Sequence, residues 1–473
     1  MAVRLRTRRQ FLASSGAAAS VALLGQSLFD LGCGPSTWVR RDIGGLSASD
    51  PIVQSYGKAI KKMKALPDSD PLSWTYQAAI HGTLLGGSHT AWNTCEHGTY
   101  FFFSWHRMYL WYFERIIRKM SGDLAWALPF WNWESPAERQ LPEPFRVPAD
   151  PSNQLFTANR GFGWNDGTSS LFASTVNTGF AMPLVPFTDF SSSLEGTPHG
   201  AVHVSIGGWM GSVPTAAQDP VFWLHHCNID RLWNIWLAQG GGRTDPLDDA
   251  TWKNTKFTFF NEHGKQVQLT GCDVLRAEEQ LRYKYEGEPA QVKLYCEKIL
   301  PIPTWIKELL FQLPIPPVLG PGPDPVPWEI DIRESRARLG SVAAEANADL
   351  LLELTQIEAD RQPDVYYEVH VGLPKDAAPD PQGPYYVGNV ALFGHGIRDE
   401  HQHGGFKPAS LSFKINQAVQ AALKGAPSAD TLRVLFVPRS SAREGKPAEA
   451  RSSARIRIGA ASFSVRRPKN QPG

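Results

Sequence analysis

The sequence predicts a multidomain protein: a mostly α-helical unit with a four-helix bundle, then a C-terminal antiparallel β-sandwich. Three observations predict it. Apolar and aromatic residues recur at helical spacing as far as about Gln239. Prolines then crowd together (Pro314, Pro316, Pro317, Pro321, Pro323, Pro325, Pro327). Beyond them, apolar residues alternate in short runs, as strands with one buried face require. At 473 residues the chain has room for several units, since one domain takes roughly 150. A 42% hydrophobic content excludes disorder as the main state. Lys plus Arg (47) balance Asp plus Glu (46), so the basic surplus expected of a nucleic-acid binder is missing.

Residues 1–33 read as a signal segment. Thr7-Arg8-Arg9-Gln10-Phe11-Leu12 is a twin-arginine pattern, followed by a small-residue apolar run, Ala17 to Leu24. That run is too short for a hydrocarbon core of about 30 Å but suits a signal core. Export by the twin-arginine route to the periplasm or outside is expected, in a folded state with any cofactor already loaded. This leaves room for a metal-delivery partner. Cys33 is a candidate lipid anchor, but Asp30 breaks the usual pattern, so no anchoring is expected. No other segment is long and apolar enough to be transmembrane. The five cysteines are too few for a disulfide scaffold, and no CxxC supports a zinc knuckle.

Residues 40–245 form the helical unit. Asp50-Pro51 opens an amphipathic stretch through Met63, and Trp74 to Leu85 reads as a second helix. Phe103 to Met120 is a third, with Trp105, Tyr109, Tyr112, Phe113 and Ile116 at helical spacing. A loop region spans Asn132 to Ser193. Thr197-Pro198 and Asp219-Pro220 each start a further helix, and Gly240-Gly241-Gly242 stops the last. Residues 246–299 make a mixed middle segment, 300–330 a Pro-rich linker and 345–467 the sandwich. Val365 to Val371, Tyr385 to Leu392, Leu432 to Val437 and Ile456 to Val465 read as its strands. Asp349 to Ile357 fits helix or strand.

The histidines carry the chemistry. His199 and His203 stand four apart, so on a helix both imidazoles project from one face and can share a metal. The next helix carries His225 and His226; side chains ~100° apart allow only one of them to face the same ion. Asp230, four residues after His226, could orient its ring or anchor the helix end. An earlier cluster holds His81, His89, His97 and His106, with Cys95 two residues before His97. In an extended segment those two side chains point the same way, so the sulfur can approach the ring. Each histidine alone is an ordinary polar residue. Three per cluster, without carboxylates, favour copper over magnesium, calcium or a carboxylate-rich di-iron site, with zinc the rival. Two sets in one bundle suggest a two-metal centre.

Two stretches resemble known signatures. His97 followed by Phe102-Phe103-Ser104-Trp105-His106-Arg107 and Glu114 resembles the first copper signature of tyrosinases, catechol oxidases and molluscan haemocyanins. Asp219-Pro220-x-Phe222-Trp223-x-x-His226-x-x-x-Asp230 resembles the second. The layout is similar to plant polyphenol oxidases: Val39-Arg40-Arg41 and Lys58 to Pro67 resemble their mature N-terminus, and Asp249 to Tyr285 their middle segment. Val365 to Val371 and Gly388-Asn389-Val390 resemble the start of their sandwich.

The resemblance implies a dicopper centre with His81, His97 and His106 on one ion and His199, His203 and His226 on the other. His225 would face away, and His89 would be a loop histidine. It also implies a thioether from Cys95 to His97. Glu195, four residues before His199, resembles the glutamate that holds a water near the coppers; a helix-entry carboxylate is the plainer reading. Phe222 is implied as a pocket wall, and Val213 lies where the family often places a residue over the site. In such proteins the sandwich packs over the copper site and can insert a blocking side chain, which makes residues 345–467 a candidate shield.

The implied reaction is oxidation of small o-diphenols, or o-aminophenols, to o-quinones by dioxygen. Gly200 follows His199 where the family associates an asparagine with deprotonating monophenols, so weak or no monophenol hydroxylation is expected. A tyrosinase with monophenol monooxygenase activity, a haemocyanin-like oxygen carrier and a zinc hydrolase are the competing readings. His395, His401 and His403 lie close in sequence without helical or strand spacing, and read as a solvated loop rather than a third metal site.

Overall fold

The computed structural model describes residues 37–85, 89–290, 296, 305–394, 396–397, 408–440, 442–443 and 454–469. The signal segment, Cys33, His395, His401 and His403 lie outside them.

Local signals set the helices of the first unit. Asp50 caps Pro51–Lys64 by accepting from Ile52 N–H at 2.8 Å, with proline where no donor is needed. Ser73 caps Trp74–His81, accepting from Tyr76 N–H at 3.0 Å. Phe102–Ser121 is buried on almost every side, as a central helix must be, and stops at Gly122. Val221–Ala238 starts where the Asp219 carboxylate accepts from Val221 N–H at 3.0 Å and also holds Arg160.

The fourth ligand-bearing segment differs from the expectation of a plain helix opened by Thr197-Pro198. A helix, Phe187–Leu194, arises inside the stretch read as loop. The chain then kinks within Glu195–Gly200, where Thr197 is extended (φ −143°, ψ 123°), and Ala201–Ile206 completes the segment. Phe187 and Phe190 bury this helix against Trp233 and Trp236. Tertiary packing thus outweighs the turn-forming serines.

The middle segment is tied into the first unit. Tyr283–Tyr285 pairs in parallel with Trp38–Arg40. Asp230 accepts from Arg107 at 2.5 Å and from Tyr283 and Tyr285 at 2.6 Å each, and Arg40 bridges to Glu114 at 2.8 Å. Asp230 therefore locks the two long helices to this segment and bonds no imidazole, contrary to the first alternative read from its spacing. Cys272 and Cys296 form a disulfide that the cysteine count did not anticipate.

The C-terminal unit contains two four-stranded antiparallel sheets. In spatial order they are Tyr386–Val390, Tyr366–Val371, Thr431–Arg439, Val326–Asp331, and Ala409–Lys414, Asp349–Ala359, Ile456–Pro468, Trp305–Gln312. One apolar cluster, including Leu352, Leu354, Val369, Val434, Phe436 and Phe463, draws on strands of both sheets. The stretch from 300 to 330, read as a linker, supplies an outer strand to each sheet, Trp305–Gln312 and Val326–Asp331. Its prolines fall mostly in the connection between the strands, with Pro327 on a sheet edge, where a missing donor costs no ladder bond. Asp349–Ala359 is a strand.

The units share a polar seam. Tyr366 hydroxyl meets Ser174 Oγ at 3.0 Å and Thr175 Oγ1 at 2.9 Å, and Asn389 Nδ2 donates to Ser174 O at 2.9 Å. Arg466 pairs with Asp189 on the helix leading to Glu195.

Candidate metal centre

Backbone carbonyls fix four of the imidazoles by their Nδ1 atoms. His106 Nδ1 lies 2.8 Å from Phe102 O, His199 Nδ1 3.0 Å from Glu195 O, and His203 Nδ1 2.8 Å from Met210 O. His81 Nδ1 lies 3.1 Å from Val213 O. Gly82 permits that approach, because a Cβ there would stand 2.7 Å from the same carbonyl oxygen. With Nδ1 donating, each Nε2 keeps its lone pair. Those of His81 and His199 are buried and unbonded within the protein, and His203 Nε2 faces His226 Nε2 at 3.3 Å.

The structure brings the histidines into two adjacent groups. His81, His97, His106 and Cys95 form one; His199, His203, His225 and His226 form the other. In each, one ligand atom per residue lies within 4.8 Å of all the others. The groups face each other: His106 stacks on His226 with ring centroids 4.4 Å apart, and His97 lies 5.6 Å from His199. Burial holds the rings neutral, pushing His81 down to about 3 and His106, His199, His203 and His226 well below the ordinary imidazole range. Orphaned neutral Nε2 atoms converging without a carboxylate fit soft or borderline metals, and a pair of sites fits a dinuclear copper centre.

His225 corrects the expectation that it faces away. Its ring stacks beside His199 at 5.6 Å, and Trp133 Nε1 donates to its Nδ1 at 3.1 Å. A side chain ~100° round the helix still reaches the group because the ring is long and the neighbouring segment packs close. His89 is exposed and packs on Trp92 and Tyr76, outside both groups.

Cys95 Sγ lies 3.4 Å from His97 Nδ1 and 3.4 Å from His106 Nε2. Glu195 is buried, and its Oε1 accepts from Gly98 N–H at 2.6 Å. Burial pushes its carboxyl up to about 8, with the Glu96 charge adding to the effect. Phe222 is a wall between the groups, its ring 4.2 Å from His226 and 4.8 Å from His81. Val213 contributes its carbonyl to His81, a role that side-chain reasoning did not identify.

Phe393 was not singled out from the sequence, where it sits in an unremarkable Leu-Phe-Gly stretch. It descends from the C-terminal unit and stacks on His203 at 3.8 Å and 7°, with His97 and His199 each 5.5 Å away. Gly394 follows at φ +79°; a Cβ there would stand 2.4 Å from His97 Cγ, so only glycine fits.

Fold and site together define a type-3 copper protein. The chain carries the common central domain of tyrosinase, matched by residues 71–184 and 164–239, followed by the polyphenol oxidase middle domain at residues 246–294. Residues 329–460 match a domain of unknown function. The tyrosinase HcTyr1 of Hahella sp. (strain CCB-MM4) is 38% identical over 283 residues, covering 48% of this chain and 59% of its own length. The chloroplastic polyphenol oxidase of Malus domestica is 28% identical over 411 residues, covering 74% of this chain and 67% of that protein. The match to the bacterial relative thus spans less than two thirds of its length. A solved structure of latent apple tyrosinase shares the fold, with a TM-score of 0.63 at 23% identity, over 92% of this chain and 98% of that one. No helix of the described residues is long and apolar enough to cross a membrane.

Proposed function

We propose that the protein oxidises o-diphenols or o-aminophenols to o-quinones with dioxygen, with weak or no monophenol hydroxylation. His81, His97 and His106 would hold one copper, and His199, His203 and His226 the other. The observation that carries this is the facing pair of neutral, carbonyl-anchored imidazole groups. When bound, the copper pair supplies the redox chemistry with dioxygen. The chain supplies the rest. Phe222 gives an apolar wall that excludes water, and Glu195, whose carboxyl burial pushes up to about 8, can accept a hydroxyl proton once ionised. His225, held by Trp133, braces His199. A Cys95–His97 thioether would stiffen the one ligand borne on a loop.

We read the helical unit as a four-helix bundle, the two sheets as a sandwich, and 1–33 as a twin-arginine signal. The described state is read as shielded, with Phe393 standing where a substrate ring would lie. The apple protein of the same fold is likewise a latent form. Initial rates on catechol and tyramine after copper reconstitution test the specificity; equal rates without a lag would overturn it. The covered His203 ring also favours a second reading, a haemocyanin-like oxygen carrier. Reversible oxygen-dependent absorbance with no catechol turnover, even after Phe393→Ala, would establish that reading instead.

A further inference from the structure

A cavity of about 400 Å³ opens on the seam between the two units, within the roughly 300–1,000 Å³ range of small-molecule sites. One wall is the end of the His203 segment, Val204 to Ile206, with the glycine turn that follows it. The other is Gln362, Pro363 and Asp364 of the C-terminal unit. Neither Phe393 nor any histidine of the two groups lines it. The cavity is therefore separate from the metal centre, though only one residue from it in sequence.

Its chemistry is specific. Ser205 is 5% exposed and its Oγ is closed off from solvent, so it stands behind this wall and the polar groups that face the cavity come from its neighbours. Val204 and Pro363 offer apolar contact, while Ser212 and Ser440 offer hydroxyls and Asp364 a carboxyl group. No lysine or arginine stands among the described lining residues, so an anion would find no counter-charge. These features exclude an anion and suit a small neutral molecule bearing hydroxyl donors.

The cavity also touches the strap that carries Phe393. Gln362 Nε2 donates to Leu392 O at 2.9 Å, one residue before that phenylalanine. A hydroxylated ligand seated against Gln362 competes for this amide.

We propose that the seam cavity is a second binding site for a small neutral phenol, and that its occupancy loosens the Leu392–Phe393 strap through Gln362. Such a ligand binds the released state more tightly than the seated one, and so shifts the balance toward release. The coupling deepens the reading of Phe393 as a shield and rests on it. The binding does not.

The probe is resorcinol, whose meta hydroxyls cannot form an o-quinone, added to the copper-loaded full chain. Calorimetry reads binding, and amide hydrogen exchange over residues 388–394 reads the strap. One saturable site is expected, with strap exchange rising several-fold. Ser440→Trp, which fills the cavity, should abolish both responses. Asp364→Ala, an exposed position, should weaken binding about fivefold and serves if the larger side chain prevents folding. Gln362→Leu removes the strap bond and one ligand contact together, so resorcinol should bind it more weakly while its strap exchanges fast with or without it. No binding at about 10 mM, or binding that survives both cavity variants, would overturn the site. Binding with unchanged strap exchange would overturn the coupling. Neither failure touches the oxidase reading, which fails only on copper content and oxygen uptake.

Discussion

The two imidazole groups reach similar ends by different means. The second is built on secondary structure: His199 and His203 share one segment, His226 lies on a long helix, and Phe393 packs directly on His203. The first is assembled from two helices and a loop. His97, its loop member, is held beside Cys95 and beneath Gly394. Helical spacing positions the second group almost unaided, whereas the first depends on close packing around one side chain. The second should therefore be the sturdier metal site, and the first the more sensitive to its surroundings.

Predictions on the two groups put that contrast at risk. Ligand removal has the largest expected effect. His81→Ala and His203→Ala should each reduce copper to one per chain and take catechol oxidation to background, as seen by metal analysis and oxygen uptake. If either variant kept both ions, the assignment of its group would be wrong.

Next is the shield. If Phe393 is seated about 99% of the time, Phe393→Ala should raise catechol turnover on the order of 100-fold. Unchanged turnover would mean that the stacking on His203 does not limit access. Cys95→Ser comes third: copper in the first group should weaken by about 10–100-fold, as losses around a ligand do, with the second group unaltered. Equal weakening of both, followed by chelator titration, would erase the contrast.

Acid should have a smaller, graded effect. The folded state holds His81 and His106 in the first group, and His199, His203, His225 and His226 in the second, below the ordinary imidazole range. The unfolded chain takes up protons from about pH 6.5 downward while the folded one resists, so stability falls as pH falls. Each such histidine contributes up to about 1.4 kcal/mol per pH unit below that point. Metal-free protein should thus melt progressively lower from pH 7 to 5. Copper should restore its stability. Thermal melts across that range check it, and a flat profile would contradict the burial of these rings as neutral groups.

The legible parts of the molecule were those set by short-range chemistry. Asp50-Pro51 and the i, i+4 pair His199 and His203 each fix local geometry within one turn, and the apolar run Val365 to Val371 fixes a strand, though one buried on both faces rather than on one. What escaped was long-range. Phe393 and Gly394 approach the histidines from far along the chain, and nothing in their neighbours marks that. Asp230 looks like an imidazole partner by spacing, yet two tyrosines and two arginines from distant segments claim it. The proline-rich stretch read as a linker because its strands pair with partners more than a hundred residues away.

Metal content tests the central claim most directly. The full chain, reconstituted with excess copper and zinc together and then desalted, should retain two coppers per chain and little zinc. One ion per chain, or zinc in preference to copper, would contradict the dicopper reading.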